Sequence, residues 1–178
     1  MSLVGFAAKN HPQQSRRHGA DDATDDRRTP PELYGLLYAE FGFTVDVAAS
    51  ADNAKCATYY TAEDDGSDPS WSWIGERVWC NPPYSNIGAW VEKAWVQSKQ
   101  GCQLIVMLVP ANRTEQAWWQ DLVEPFRDQP NGRLTVRFLR GRLRFDRPGW
   151  TKPAKGDRPP FGCCLLIWDA APVERGER

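Results

Sequence analysis

The sequence predicts an α/β domain, with a mostly parallel sheet covered by helices on both faces and a late antiparallel hairpin. Short apolar runs of strand length alternate along the chain with segments whose apolar residues recur at helical spacing. One run, residues 104–109, is continuously apolar, as expected of a strand that is buried on both faces. A length of 178 residues, 41% of them hydrophobic, fits one domain with a single core.

The ordered domain is expected to span residues 29–170, between two polar ends. Residues 1–28 mix Gln, Ser, Arg, His and Asp without apolar periodicity, which predicts a disordered amino-terminal arm. Residues 171–178 are expected to form a flexible carboxyl-terminal tail.

The predicted domain opens with a helix followed by a strand. Thr29 should be the N-cap of the helix, with Pro30 in the first helical position and Glu32 closing a capping box. The apolar face of this helix would consist of Leu33, Leu36, Leu37 and Phe41. The segment 43–49, interrupted by Asp46, is predicted to be the first core strand.

The remaining elements alternate in the same way. The acidic segment 61–73 is rich in turn residues, and residues 77–80 form the second predicted strand. Residues 85–86 should cap a helix whose apolar residues follow 3.6-residue spacing, namely Ile87, Trp90, Val91, Ala94 and Trp95. The later elements are a strand at 104–109 ended by Pro110, a helix at 114–123, a hairpin at 133–145 turning at Gly141, a mobile loop at 146–160 and a closing strand at 161–168.

Composition argues against several classes of protein. No apolar stretch approaches the roughly 20 residues that span a bilayer, and the amino terminus lacks the pattern of a secretion signal. The five cysteines are odd in number and form no CxxC pair, and both histidines fall in residues 1–28. We therefore expect no metal site, no membrane contact and a reducing cytoplasm.

The net charge of −1 hides a division of the chain into an acidic and a basic half. Residues 29–99 carry four Lys or Arg against ten Asp or Glu, whereas residues 100–160 carry eleven against six. The opposite charges could simply pair across the fold. Alternatively, the basic half meets the phosphates of a nucleic acid.

The most informative motif is Asn81-Pro82-Pro83-Tyr84, which directly follows the second predicted strand. The carboxyl end of a strand is where open α/β sheets bind ligands, and two adjacent prolines make a stiff loop. The Asn81 oxygen and the Pro82 carbonyl could accept both hydrogens of a conjugated amino group such as that of adenine. Its lone pair would then be directed at a methyl donor, and Tyr84 could stack on the extruded base. A plain Pro-Pro turn is the structural alternative.

The motif and several other segments, in order along residues 29–168, resemble the phage-type DNA N6-adenine methyltransferase family. The resemblance implies a Rossmann-like methyltransferase fold, S-adenosylmethionine as the methyl donor and adenine in double-stranded DNA as the acceptor. It also implies transfer at specific sites and a role in protecting phage DNA from restriction, and for a phage-encoded chain the expected cytoplasm is that of the bacterial host. Direct in-line transfer, without a covalent enzyme intermediate, is what the tetrapeptide itself predicts. The matching segments are 29–30, 46–50 with 53–55, 63–66, 79–85, 90–94, 108–111 with Arg113, 118–119 and 137–145.

The family resemblance also suggests where the methyl donor binds. Methyltransferases usually carry a Gly-rich turn after the first strand, and residues 46–50 of this chain lack it, although Ala48 still permits a close approach. Asp46 could bind the donor's ammonium group or be a partnered structural carboxylate. The remaining candidates, each of which could instead be a helix cap or a solvated turn residue, are Ser50, Asn53, Asp64, Asp65, Thr29 and Pro30.

Arginines are the candidate DNA contacts. Arg113 follows the strand at 104–109 and should project from the same rim as the motif, where it could bind a phosphate or the target base, or form a surface ion pair. A solvated hairpin is the alternative for the remaining candidates, which are Arg137, Arg140, Arg142 and Arg144. The pair Trp118-Trp119 is expected to belong to the core, and the loop 146–160 could cover bound DNA.

Three other functions are compatible with parts of the sequence. The same tetrapeptide would serve methylation of a protein glutamine or of RNA. A DNA-binding module that has lost catalysis is a second possibility, against which the intact motif argues. A metal-dependent nuclease would use Asp64, Asp65 and Asp68, but the chain has no Glu-x-Lys partner at a suitable spacing. The oligomeric state and the recognition sequence are not predicted.

Overall fold

The computed structural model describes residues 27–146 and 159–170. The predicted arm and tail, apart from Arg27 and Arg28, lie outside these ranges, as does most of the predicted loop 146–160. The elements are α1 (Pro31–Phe41), β1 (Val45–Asp46), β2 (Thr58–Tyr59), β3 (Arg77–Cys80), α2 (Ile87–Gln100), β4 (Leu104–Pro110), α3 (Ala117–Leu122), β5 (Leu134–Phe138) and β6 (Cys163–Asp169).

The six strands form one mixed sheet in the order β2-β1-β3-β4-β6-β5. The first four in this order are parallel to one another, while β6 runs antiparallel to both β4 and β5. The predicted α/β class and the mostly parallel sheet are thus confirmed. The buried runs of β4 and β6 explain their central positions, because both faces of these strands are covered.

Helices lie on opposite faces of this sheet. The ring of Trp79 in β3 contacts Tyr34 of α1, and the ring of Trp168 in β6 contacts Trp95 of α2. Trp79 pairs through β4 with Ile167, the neighbour of Trp168, and successive residues of a strand point to opposite faces. Therefore α1 and α2 cover different faces, and the core lies on both sides of the sheet.

The predicted hairpin at 133–145 is wrong. Its first half forms β5, but β5 pairs with β6 rather than with residues 139–145. The apolar β6 is buried along almost its whole length, whereas residues 139–145 carry three arginines that would be costly to bury between β4 and β5. After Leu139 the chain leaves the sheet and turns at Gly141, whose φ is +80°. This departure brings Phe145 to the motif described below.

The predicted start of α1 is wrong by one residue. Pro31 is the first helical residue, and Pro30 lies at the N-cap with an extended ψ of 136° and no side-chain capping bond. The cause is steric, since a proline disfavours the helical conformation in the residue before it. Thr29 and Glu32 consequently form no capping box. Leu36, expected on the apolar face, is 73% exposed.

Other boundaries differ modestly from the prediction. The strand predicted at 43–49 is β1, which is two residues long, and the helix predicted at 114–123 is α3, which is six residues long. The short edge strand β2 was not predicted. By contrast, β3 and the buried face of α2 agree with the predicted pattern. None of the helices within the described ranges combines the length and the apolar character needed to cross a bilayer.

Candidate active site

The tetrapeptide 81–84 lies where β3 ends, in the row of parallel strand ends. Asn81 is half-buried, and its side-chain amide donates a 2.6 Å hydrogen bond to the backbone carbonyl of Arg27. The Asn81 side-chain oxygen faces the Tyr84 hydroxyl at 3.4 Å, a long contact. The acceptor atom of Asn81 is therefore only weakly engaged, while its donor is held by the preceding chain.

Tyr84 is covered on all sides. Its ring is only 3% exposed and makes edge contacts with Phe145 and Phe161, at centroid distances of 6.1 and 6.2 Å. The Arg27 guanidinium lies over the Tyr84 ring at 5.9 Å, and at 5.9 and 5.0 Å from the centroids of Phe145 and Phe161. We call these three rings the aromatic cluster. Burial raises the pKa of the Tyr84 hydroxyl well above its ordinary value, so this group stays neutral.

The motif is anchored from the neighbouring strand end. Arg113, which follows β4, donates a 2.6 Å hydrogen bond to the Tyr84 carbonyl. The Asn86 amide donates to the Pro83 carbonyl at 3.3 Å, which turns the chain into α2. These two bonds fix the end of the tetrapeptide relative to β4 and α2.

A cavity of about 730 Å³ opens beside the motif. This volume lies within the range of pockets that hold small molecules. Asn81 and Pro83 form one side of the cavity, and residues 47–50 after β1 form another. The other lining residues are Arg28, Asp52, Asn53, Thr61, Ala62, Asp65, Gly66, Ser67, Asn86 and Trp90.

Gly66 lies directly against the backbone that follows β1. It is buried in the cavity wall, and a Cβ atom at this position would lie 2.1 Å from the Val47 carbonyl oxygen and 3.2 Å from the Trp90 ring. Real Cβ contacts do not approach so closely. The loop 61–70 can therefore lie against the end of β1 only if residue 66 is glycine.

Two side chains of α2 hold the loop that carries Gly66. Lys93 is buried, and its ammonium group donates to the carbonyls of Asp68 and Trp71. Burial lowers the pKa of Lys93 below its ordinary value. Gln97 accepts a 2.6 Å hydrogen bond from the Trp73 amide. The wall of the cavity is thus built onto the rigid face of a fourteen-residue helix.

Asp46 is a buried carboxylate at the end of β1. It accepts hydrogen bonds from the backbone amides of Lys55 at 3.0 Å and Ala48 at 3.3 Å. Burial raises the pKa of Asp46 to about 6, against the lowering effect of these bonds. Asp46 lines a second cavity of about 40 Å³ together with Thr29, and this cavity shares Ala48, Asn53 and Asn81 with the large one.

The structure brings some of the predicted donor-binding residues together and leaves others apart. Ala48, Ser50, Asn53 and Asp65 line the large cavity, and Asp46 and Thr29 line the small one. Asp64 turns back to accept hydrogen bonds from the amide and hydroxyl of Thr61. Pro30 lies at the start of α1. Whether these residues bind a methyl donor stays a prediction.

The predicted DNA contacts occupy varied environments. Arg137 forms a bidentate ion pair with Glu40, at 2.7 and 2.8 Å, and its guanidinium lies over the Phe41 ring. Arg140 and Arg142 are exposed, whereas Arg144 is half-buried beside the aromatic cluster residue Phe145. The assignment of Arg113 and of these arginines to DNA also stays a prediction.

All five cysteines are free thiols, and burial keeps them protonated. It raises the pKa of Cys163 and Cys102 to about 11 and that of Cys164 to about 12, and the thiols of Cys80 and Cys56 are shifted in the same direction. Because the thiolate is the reactive form, none of these side chains is activated as a nucleophile. In the described part of the chain, no three His, Cys, Asp or Glu side chains converge as metal ligands.

Several residues of the site were missed by sequence reasoning. Arg27 belongs to a polar segment that the sequence predicts to be disordered, and its position in the aromatic cluster depends on contacts with residues far along the chain. Gly66 belonged to a matched segment, but its spacing gave no sign that it would face Val47. The other missed residues are Arg28, Asp52, Ser67, Asn86, Trp90 and Lys93.

Together, the parallel strands, the ligand-sized cavity at their carboxyl ends and the Asn-Pro-Pro-Tyr loop in its wall match the arrangement expected of an amino-methyltransferase. Sequence comparison identifies the family. The profile of the DNA N-6-adenine-methyltransferase (Dam) family matches residues 16–175, and the chain belongs to this family.

Two curated relatives share parts of the chain. The DNA N-6-adenine-methyltransferase of Escherichia phage T1 is 35% identical over 94 residues, which are 52% of this chain and 38% of the phage protein. YfdM of Escherichia coli (strain K12), named provisionally as a methyltransferase, is 39% identical over 75 residues, 38% of this chain and 79% of YfdM. The match therefore spans well under half of the phage enzyme.

Proposed function

We propose that this chain transfers a methyl group from S-adenosylmethionine to the N6 amino group of adenine in double-stranded DNA. The observation that carries the proposal is the position of Asn81, in the wall of a ligand-sized cavity and beside the aromatic cluster. Family membership supports the choice of DNA as the acceptor.

The residues of the cavity fit S-adenosylmethionine. This co-substrate would supply an electrophilic methyl group on a sulfonium. Trp90 and Val47 offer an apolar wall for a purine, and Asp65 offers a carboxylate for hydroxyl groups. The buried Thr29 hydroxyl, which has no hydrogen-bond partner among the described residues, and the nearby Asp46 carboxylate suit the polar end of an amino acid.

On the acceptor side, the Asn81 oxygen and the Pro82 carbonyl would accept the two hydrogens of the adenine amino group. The amino nitrogen is a weak nucleophile because its lone pair is delocalised into the ring. Two fixed acceptors would draw its hydrogens out of the plane of the ring, so that the lone pair leaves conjugation and is oriented toward the methyl group. Asn81 cannot act as a base, so the proton leaves to solvent after the transfer.

Direct transfer, without a covalent enzyme intermediate, agrees with the state of the thiols. The cysteines nearest the motif, Cys80 and Cys163, are buried and protonated. Neither could attack a base or a methyl group at neutral pH. The chain would therefore contribute positioning and fixed dipoles rather than a nucleophile.

The proposal is tested by incubating the chain with tritiated S-adenosylmethionine and DNA that lacks N6-methyladenine, followed by nucleoside analysis. Label should appear in N6-methyl-2′-deoxyadenosine. Parallel reactions with RNA and with a protein rich in glutamine test the competing acceptors. Transfer to one of these but not to DNA would refute the assignment of the substrate.

Variants of Asn81 test the mechanism. Asn81→Ala removes one transition-state acceptor and should lower kcat by a factor of about 100 to 1000, by analogy with the loss of one oxyanion-hole donor. Asn81→Asp keeps an acceptor and should retain more activity than the alanine variant. Asn131→Ala makes the same truncation at an exposed position remote from the motif and should change nothing. Full turnover by Asn81→Ala would refute the mechanism.

A further inference from the structure

The target base cannot stack on Tyr84 in the conformation seen here. The Tyr84 ring is 3% exposed, and the Arg27 guanidinium lies over it. Resting on the proposed function, we infer that Arg27 occupies the place of the target base when DNA is absent, and that an incoming adenine must displace it.

The Arg27 side chain resembles a base in the two properties that the aromatic cluster recognises. A guanidinium is planar and stacks on aromatic rings, as a purine does. It lies 5.0 to 5.9 Å from the centroids of Tyr84, Phe145 and Phe161, which come from three separate segments of the chain. The guanidinium therefore lies within cation–π distance of all three rings of the aromatic cluster.

The backbone of the same residue engages the residue that would hold the amino group. The Arg27 carbonyl accepts a 2.6 Å hydrogen bond from the Asn81 amide. Arg27 thus contacts both the stacking residue and the amine-binding residue of the proposed site. A base that stacked on Tyr84 would compete with the Arg27 guanidinium for that ring, whereas the Asn81 oxygen that would accept its amino hydrogens is not the atom bonded to Arg27.

The neighbouring residues hold Arg27 in place at the edge of the fold. The backbone of Arg28 pairs with that of Asp146 through two 3.0 Å hydrogen bonds. The Arg28 side chain reaches the other way and forms a 2.6 Å ion pair with Asp52, a residue of the large cavity. Asp52 is largely exposed, so water weakens this pair.

The base can bind only to those molecules in which Arg27 has left the cluster. Its apparent affinity is therefore reduced in proportion to this open fraction. We expect Arg27 to fill the cluster in about nine molecules out of ten, so removing the guanidinium should lower the KM for DNA by a factor of about ten. The value of kcat should change little, because Arg27 is displaced before the transfer.

The test compares full-length variants by steady-state methylation of unmethylated plasmid DNA with tritiated S-adenosylmethionine. Arg27→Ala and Arg27→Gln should both lower KM, and Arg27→Lys, which keeps a cation, should fall between them and the unaltered chain. Arg17→Ala removes the same charge from the amino-terminal region and serves as the control. A thermal melt of each variant establishes that it is folded.

A second readout follows the side chain itself. In a spectrum of the chain labelled with ¹⁵N-arginine, the Arg27 side-chain signal, identified by its loss in Arg27→Ala, should be shifted by the ring currents of the cluster. Adding DNA should move it toward the position of a solvated arginine. An unchanged or raised KM in Arg27→Ala, or a signal that DNA leaves in place, would overturn the inference while the proposed function stands. Absence of methyl transfer to DNA by the unaltered chain would instead refute the proposed function, and this inference with it.

Discussion

Replacing Arg113 by methionine should slow methyl transfer while leaving the strength of DNA binding nearly unchanged. The Arg113 guanidinium donates a 2.6 Å hydrogen bond to the Tyr84 carbonyl and so fixes the end of the tetrapeptide. A hydrogen bond to a charged group contributes about 1.5 to 3 kcal/mol. Because Arg113 is only half-buried, water can replace part of this interaction, and the lower figure applies. A loss of about 1.5 kcal/mol in the transition state corresponds to about a tenfold fall in kcat.

The alternative, in which Arg113 binds a DNA phosphate, predicts a different pattern. Loss of a phosphate contact weakens binding and lowers the salt dependence of the affinity by about one ion. The assay therefore measures kcat, KM and the slope of DNA affinity against salt for Arg113→Met and Arg113→Lys. The lysine variant keeps the charge for a phosphate but has a different reach toward the Tyr84 carbonyl. An unchanged kcat together with a smaller salt slope would refute the positioning role.

Two further predictions concern the residues that would bind the methyl donor. Gly66→Ala would place a Cβ atom 2.1 Å from the Val47 carbonyl oxygen, so the loop must move, and we expect the KM for S-adenosylmethionine to rise at least about tenfold. Gly35→Ala is its control, since a Cβ atom there meets nothing within 4 Å. The higher helical propensity of alanine should raise the stability of this control slightly. An unchanged KM in Gly66→Ala would contradict the role of the contact between Gly66 and Val47. For Asp46, whose pKa is about 6, the charged form that attracts an ammonium group is present above pH 6 and is lost as the pH falls through 6. The KM for S-adenosylmethionine should therefore rise as the pH is lowered from 7.5 to 5.5, and a KM that stays constant, or one that rises equally in Asp46→Asn, would contradict this role.

The parts of the fold that were predictable are those fixed by local patterns. The apolar run of β4 and the helical spacing of α2 each depend on residues close in sequence, and both appear as expected. The position of the motif after β3 follows from the same kind of pattern. The error at 133–145 has a different origin, because alternation predicts a strand but not its partner. Pairing with β6 joins residues about 30 positions apart, and only burial in the sheet decides it.

The site was predictable where one segment supplies it and unpredictable where several segments meet. Asn81 and Tyr84 belong to one tetrapeptide, and their position at the carboxyl end of the sheet follows from the strand that precedes them. Arg27 lies 54 residues before Asn81 in a polar segment, and nothing local indicates that its backbone accepts a bond from that side chain. The buried position of Lys93 is similar, since its two carbonyl partners lie in a loop more than 20 residues away.

The fold also gives a spatial meaning to the charge division of the sequence. The acidic half forms β1, β2 and β3 and supplies nearly all of the large cavity, where the proposed methyl donor carries positive charge. The basic half forms β4 and β5 and supplies Phe145 to the aromatic cluster around Tyr84, and Phe161 follows directly after this half. Pairing across the halves does occur, as between Arg137 and Glu40, but Arg140 and Arg142 are exposed in the segment that leads to Phe145. The tetrapeptide 81–84 lies where the two halves meet. The acidic half would bind the cationic methyl donor, and the basic half would bind the anionic DNA, so each charge would attract its own substrate.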